Sequence, residues 1–403
     1  MVSGTEGAGH ESRRVLWLSY LSGAFGLAMF TQGNFLVALR ARELGATLDV
    51  IGLIIGAGSL AAAISSVPSG ALIDRLGPRR TFIIGTAATS LASLLYVFAT
   101  DYRWFLALQP LLGIARGVGW VSSQSYISSI GTAKERPKLT GRFSFFSNLG
   151  QMAGPVLAGA AAELVGLRWA MLVPAVYAVC FTFLGLRMKD IRTRDHDATP
   201  AAHGAGVRSA MQLVAIRGIQ VALLLTFARL WITNIYSTFL PVFLVDGGME
   251  PALVGTIIAT SGLVAALMAP TTGFWTRFGS QQTVAVLGLA CGAAALVLTP
   301  HVAVVPIVFL VPTLIGIGVG LSLPLLISIV TTAAPAHKRG VALGLRDMVN
   351  QSAATIAPVV VGPLITALGM ALGFTTGGVV GGALLVAARL THTLDRREQA
   401  AGR

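Results

Sequence analysis

Residues 304–330 read VVPIVFLVPTLIGIGVGLSLPLLISIV, 27 consecutive positions without a charged side chain. A helix rises ~1.5 Å per residue, so about 20 apolar residues cross ~30 Å of hydrocarbon. Trp104 to Val121 forms a second such run, interrupted by one arginine. Over all 403 residues, 54% are hydrophobic and 11% charged, with a mean hydropathy of +0.77. Sixteen acids and 29 bases are too few to cover a soluble globule of this size. The alternation of a lipid-facing barrel is absent, so helices must satisfy the backbone inside the lipid. The sequence specifies an all-α polytopic membrane protein.

Hydropathy predicts twelve transmembrane segments, at 15–38, 50–70, 82–100, 104–130, 142–165, 168–187, 215–244, 252–272, 282–300, 303–331, 344–368 and 370–390. Lys and Arg concentrate in both tails and in every second loop. The opposite loops hold only Arg40, Arg42, Arg103 and Arg168. The positive-inside rule then puts both termini in the cytoplasm. Polar residues gather at 188–214, around Asp195-His196-Asp197 and Pro200, which reads as a cytoplasmic linker. The expected order is a tail at 1–14, a six-helix bundle at 15–187, the linker at 188–214, a second six-helix bundle at 215–390 and a tail at 391–403. The N-terminal tail is expected to be disordered. Arg13, Arg14 and the apolar run after them resemble a signal peptide, but eleven further segments favour an uncleaved first helix.

The net charge of +13 raises nucleic acid as a partner. Its bases sit in gaps between apolar runs, not on a polar domain face, so orientation in the membrane explains them and no nucleic acid is expected. Cys180 and Cys291 lie in apolar runs without CxxC spacing, and the six histidines lack ligand spacing, so no metal is expected. The expected partners are the lipid bilayer and a small-molecule substrate, the chain acting as a monomer. No cofactor is expected beyond a proton gradient. The excess of Arg over Lys and the abundance of Ala point to a GC-rich bacterial genome, hence a bacterial inner membrane.

An offset of 203 residues relates the halves. Gly70 maps onto Gly273, Arg136 onto Arg339, Gly141 onto Gly344, Pro155 onto Pro358 and Gly159 onto Gly362. Five matches at corresponding topological places indicate a duplicated six-helix unit. Parallel repeats of this kind place a substrate cavity between the halves near the bilayer midplane.

After the second segment the chain reads Gly70-Ala-Leu72-Ile-Asp74-Arg75-Leu-Gly77-Pro78-Arg79-Arg80. This resembles the G-x-L-a-D-R-x-G-R-[KR] signature of the major facilitator superfamily, with Pro78 replacing the first paired base. The fifth segment carries Gly150-Gln-Met-Ala-Gly154-Pro155-Val-Leu-Ala158-Gly159. It resembles the G-x-x-x-G-P-x-x-G-G motif of the drug:proton antiporter branch, with Ala158 for one glycine. Leu112-Gly-Ile-Ala-Arg116 matches the start of a further family motif. The resemblance implies that Asp74 latches the halves on the cytoplasmic side, with Gly70, Gly77, Arg75, Arg79, Arg80 and Arg142 in the latch. It also implies a bend at Gly150, Gly154, Pro155 and Gly159, and export.

An ionised group in hydrocarbon costs about 2.5–3.5 kcal/mol on insertion scales, so it faces a cavity or a partner. Arg116 and Arg229 each lie about twelve residues into a segment, near the midplane. The resemblance implies that segments 1, 4, 7 and 10 line the cavity. Arg116 reads equally as substrate contact or as a structural bond to helix-end carbonyls; Arg229 reads as substrate contact. Gln32, Asn34, Gln124, Gln151, Asn234, Tyr236, Asn350 and Gln351 are the neutral candidates, and some would only tie helices together. No Asp or Glu lies at midplane. Glu163 and Asp347 sit at segment ends, leaving an electropositive cavity suited to anionic or neutral solutes.

The function expected is secondary active transport by alternating access, with proton-coupled export of a small amphipathic, anionic or neutral organic compound. The rivals are an uptake permease for an organic anion and a non-transporting membrane sensor. No nucleophile–base set or metal cluster supports an enzyme.

Overall fold

The computed structural model describes residues 3–130, 136–190, 212–301, 308–335 and 339–401. Among them every regular element is a helix. The twelve long ones are α1 (Ser3–Glu43), α2 (Leu48–Leu76), α3 (Pro78–Leu95), α4 (Arg103–Ser128), α5 (Arg136–Ala170) and α6 (Leu172–Arg187). They continue with α7 (Arg217–Asp246), α8 (Pro251–Met268), α9 (Gln281–Leu298), α10 (Leu310–Ala333), α11 (Arg339–Leu368) and α12 (Met370–Ala401). Ten helices among the described residues are long and apolar enough to cross a membrane, and α5 with α6 forms a further pair bent by 88°. The bend has a local cause. Gly166 takes φ 79°, ψ 158° inside α5, so the helix is broken four residues before Ala170.

The N-terminal tail is helical where disorder is expected. α1 begins at Ser3 and α12 runs to Ala401, so both segments read as tails continue a membrane helix. Extending a formed helix adds a hydrogen bond per residue without a new nucleus, which favours continuation over a sharp stop. The expected linker falls largely at 191–211, outside the described residues. Its C-terminal edge is packed, because Leu213 is buried in a core cluster with Ile219 and Ala222.

The chain divides into two compact units that do not follow the sequence halves. Unit 1 holds residues 1–46, 57–196 and 244–259; unit 2 holds 47–56, 197–243 and 260–403. In unit 1, α1 packs along α5 and touches α4 and α6, while α3 packs on α4 and α6. Tyr20 stacks on Phe146 at 5.5 Å, and Phe25 meets Phe181 edge-on at 4.7 Å. In unit 2, α9 packs on α10 and α12, and Trp231 Nε1 donates to Gly377 O at 2.9 Å. Large apolar side chains such as Ile64, Leu164, Phe183, Leu287 and Val379 remain exposed. So many exposed apolar groups suit a lipid-facing surface.

The 203-residue repeat extends to backbone geometry. Gly45 and Gly248 take φ 89° and 87°. At the same two turns the Ala46 N–H reaches Ala41 O at 2.9 Å and the Met249 N–H reaches Leu244 O at 3.0 Å. This is one left-handed helix stop used twice, at a conformation that side chains with a Cβ resist. Close packing repeats too. A Cβ on Gly255 would overlap the Pro155 carbonyl in unit 1, and one on Gly52 would overlap the Pro358 carbonyl in unit 2. These contacts explain the exchanged segments: the start of α2 belongs with α11, and the start of α8 with α5.

Candidate functional site

In unit 1 the polar centre is Arg116 on α4. Its Nη1 lies 3.3 Å from Asn34 Oδ1 on α1, and its guanidinium carbon is 5.1 Å from the centre of the Phe30 ring. Phe30 and Asn34 are four residues apart and share a helix face, so one turn of α1 offers an acceptor and a π surface together. Arg116 Nε is buried without a partner. Arg116 also lines a small cavity with Met29, Ser93, Tyr96, Met171 and Pro174. At its edge the Tyr96 hydroxyl donates to Gln109 Oε1, a buried brace between α4 and the turn after α3. Gln109 is legible in the sequence as a lone amide in the Trp104–Val121 run, yet it is missing from the candidates above.

Gln32 is fully buried in α1, and neither of its amide atoms has a partner. An unmet buried amide costs about 1–3 kcal/mol, which keeps Gln32 a candidate contact for a hydrogen-bonding solute. Gln124 and Gln151 are exposed. The Gln151 backbone nevertheless matters. Pro155 lacks the N–H that would bond Gln151 O, and Thr31 Oγ1 stands 3.3 Å from that carbonyl, as well as near Leu27 O and Ala28 O of its own helix. Gly150 and Gly154 supply the close approach, since a Cβ on either would overlap the Ala24 or Ala28 carbonyl of α1. A Cβ on Gly159 would meet Pro251 O at the start of α8.

In unit 2 Arg229 lies in α7 with its Nε buried and unpartnered. Arg346 lies within the expected segment 344–368 but is absent from the expected site residues. It sits seven residues into α11 and is 8% exposed, because α11 begins at Arg339 and packs its first turns against α7 and α10. Arg346 Nε and, one turn on, Asn350 Oδ1 are also buried without partners. Arg346 Nη1 is 3.7 Å from Asp347, whose own side chain is 76% exposed. The i, i+4 pairing of Arg346 with Asn350 is visible in the sequence; the depth of the helix start is not. Asn234 and Tyr236 have structural bonds: Asn234 Nδ2 donates to Leu230 O at 2.8 Å, and the buried Tyr236 hydroxyl bonds Ser261 on α8. Gln351 is half-buried, and its backbone carbonyl accepts from Thr355.

The loop after α2 is built around Gly77, at φ 83°. Arg79 Nη2 donates to Leu186 O at 2.9 Å, and its Nε lies 3.3 Å from Gly185 O, so it caps the C-terminal end of α6. Arg80 lies 3.9 Å from Asp190. Arg75 and Arg142 are exposed, and a Cβ on Gly70 would meet open space. The Asp74 side chain lies outside the described residues.

Known proteins share this architecture. A family model described as Major Facilitator Superfamily matches residues 16–358. An uncharacterized MFS-type transporter of Methanocaldococcus jannaschii is 21% identical over 333 residues, 82% of this chain and 85% of that protein. The class B tetracycline resistance protein of Escherichia coli is 25% identical over 293 residues, 72% of each chain. Among solved structures, a mutant form of the nucleoside transporter NupG superimposes with a TM-score of 0.77, covering 94% of this chain and 99% of that one at 14% identity. With a family model spanning most of its length and the fold to match, this chain belongs to the Major Facilitator Superfamily.

Proposed function

We propose that this chain is a secondary active transporter that exports a small anionic or neutral organic compound, driven by the proton gradient, through alternating access of two six-helix halves. The carrying observation is that Arg116 and Arg229 lie inside membrane-length helices with a buried Nε lacking a partner, and neither forms an ion pair among the described residues. A cation left without a protein counter-ion in that setting is offset by water and by an anionic or strongly hydrogen-bonding solute. The Gly154-Pro155 pattern and the likeness to a tetracycline resistance protein support the outward direction. In this reading α5 and α6 count as two spans separated at Gly166, giving twelve. Both termini are cytoplasmic, and the chain works as a monomer in a bacterial inner membrane.

The test is uptake of a panel of radiolabelled organic anions, neutral solutes and cations into everted vesicles. Acidification of the vesicle interior should load an anion or a neutral solute, and a protonophore should abolish the loading. Intact cells that concentrate the same solute, with no loading of vesicles, would make the protein an uptake system. Preferential loading of cations would refute the charge assignment.

A further inference from the structure

We infer that the Arg42–Asp246 ion pair is the clasp of an outer gate: it holds the end of α1 to the end of α7 and parts each time the transporter opens outward. The inference rests on the alternating-access reading above and assigns residues to one of its gates. With both termini cytoplasmic, the turns after α1 and α7 face the outer side. There Arg42 Nε and Nη2 lie 3.0 Å and 2.9 Å from Asp246 Oδ2, and Arg42 Nη1 lies 3.4 Å from Ala46 O. Among the described residues this is the one ion pair that joins the two sequence halves; Arg40–Glu43, Arg80–Asp190 and Arg346–Asp347 do not. Both residues belong to unit 1, which α7 enters at Leu244, so the pair ties α1 to the last turn of α7 just past that entry.

The repeat explains why the bond crosses from one half to the other. Asp246 stands 203 residues after Glu43, and each sits two residues before the left-handed glycine of its turn. Glu43 takes Arg40 of its own helix at 2.6 Å. The positions in α7 that match Arg40 and Arg42 are Phe243 and Val245, so Asp246 has no base within the last turn of its helix and takes Arg42 of α1. The strength of the pair also suits a gate. Arg42 and Asp246 keep 40% and 34% of their side chains exposed, and a pair so exposed shifts an equilibrium by about two- to fivefold. That biases two conformations without locking either. Glu163 with the Ala252 N–H, and Thr366 with Asp49, join the halves at the helix starts that follow, so outward opening parts three polar contacts together.

The test uses the full chain in spheroplasts with Cys180→Ser, Cys291→Ser and Ala46→Cys, the last a fully buried position beside the clasp. A membrane-impermeant maleimide in the outer medium then reports opening. Asp246→Asn, which leaves Arg42 its reach to Ala46 O, should speed labelling about two- to fivefold. Arg42→Asp combined with Asp246→Arg should return the rate to within about twofold of the starting protein. Unchanged labelling in Asp246→Asn overturns the clasp. Fraying of a fixed brace would also speed labelling, so a second variant separates the two. Arg42→Cys with Asp246→Cys is joined by a short reducible bis-methanethiosulfonate linker and tested with whichever solute loads the everted vesicles. It should lose most of its flux when linked and regain it on reduction. Linked protein that carries solute as fast as the reduced form overturns the gate and leaves the transport reading standing. Failure of every solute in the panel to load, while labelling still answers to Asp246→Asn, counts against the export reading alone.

Discussion

The Glu163 carboxylate of α5 accepts the Ala252 backbone N–H at 3.2 Å, at the first turn of α8. The repeat reproduces the arrangement with different chemistry. At the first turn of α2, Thr366 Oγ1 of α11 accepts the Asp49 N–H at 3.0 Å and donates to Asp49 Oδ1 at 3.0 Å. Both pairs stand at the same two repeat positions, 163 with 366 and 49 with 252. A helix N-terminus leaves N–H groups unbonded and carries partial positive charge, so a carboxylate from a neighbouring helix is a suitable cap. Glu163→Ala should therefore lower the melting temperature of the purified protein by about 1–3 °C, and Glu163→Gln, which keeps an acceptor oxygen, should recover at least half. An Ala variant as stable as wild type would show that the cap contributes nothing.

The close approaches at Gly255 and Gly52 predict matched behaviour. An added methyl at either would overlap a proline carbonyl, so Gly255→Ala and Gly52→Ala should each destabilise by about 1–3 kcal/mol. Gly70→Ala meets open space inside a helix and should stabilise by up to about 1 kcal/mol, since alanine loses less backbone entropy. Denaturant titration of the three variants checks the contrast; equal effects would mean that packing at these glycines does not decide the outcome.

Arg116 and Asn34 should act as a coupled pair. Arg116→Gln and Asn34→Ala each remove one partner of the 3.3 Å contact, and the double variant should lose less than the sum, with a coupling of about 0.5–1.5 kcal/mol. Strict additivity in the cycle, by stability or by substrate affinity, would dissolve the pair. Phe30→Leu should weaken the same site by removing the ring face.

The loop after α2 should separate into two roles. Arg79 holds the last carbonyls of α6, so Arg79→Ala should lower stability by about 1 kcal/mol with transport per folded molecule largely kept. Asp74→Asn should do the reverse, slowing flux while leaving insertion and melting unchanged, as a conformational latch requires. Full wild-type flux in well-expressed Asp74→Asn would remove that role.

Composition and run length were enough to read helices in a membrane, because a chain this poor in charge has no other way to satisfy its backbone and cover its surface. The spacing of Gly70, Pro155 and their partners 203 residues on made the duplication legible, and the same offset pairs Gly45 with Gly248 and Glu163 with Thr366. Which helix turn received each side chain was not legible. Arg346 falls two residues into the expected segment 344–368, where a base at a span end reads as solvated; the structure begins α11 at Arg339 and buries the arginine. Tyr236 and Asn234 read as site residues, because a polar atom in an apolar run looks the same whether its partner is a solute, a neighbouring helix or its own backbone. The exchange of the first turns of α2 and α8 between compact units was likewise decided in three dimensions, by glycines lying against the proline carbonyls of distant helices. Periodicity along a chain records which residues prefer lipid, whereas the partner of each polar atom depends on distances between helices that only packing sets.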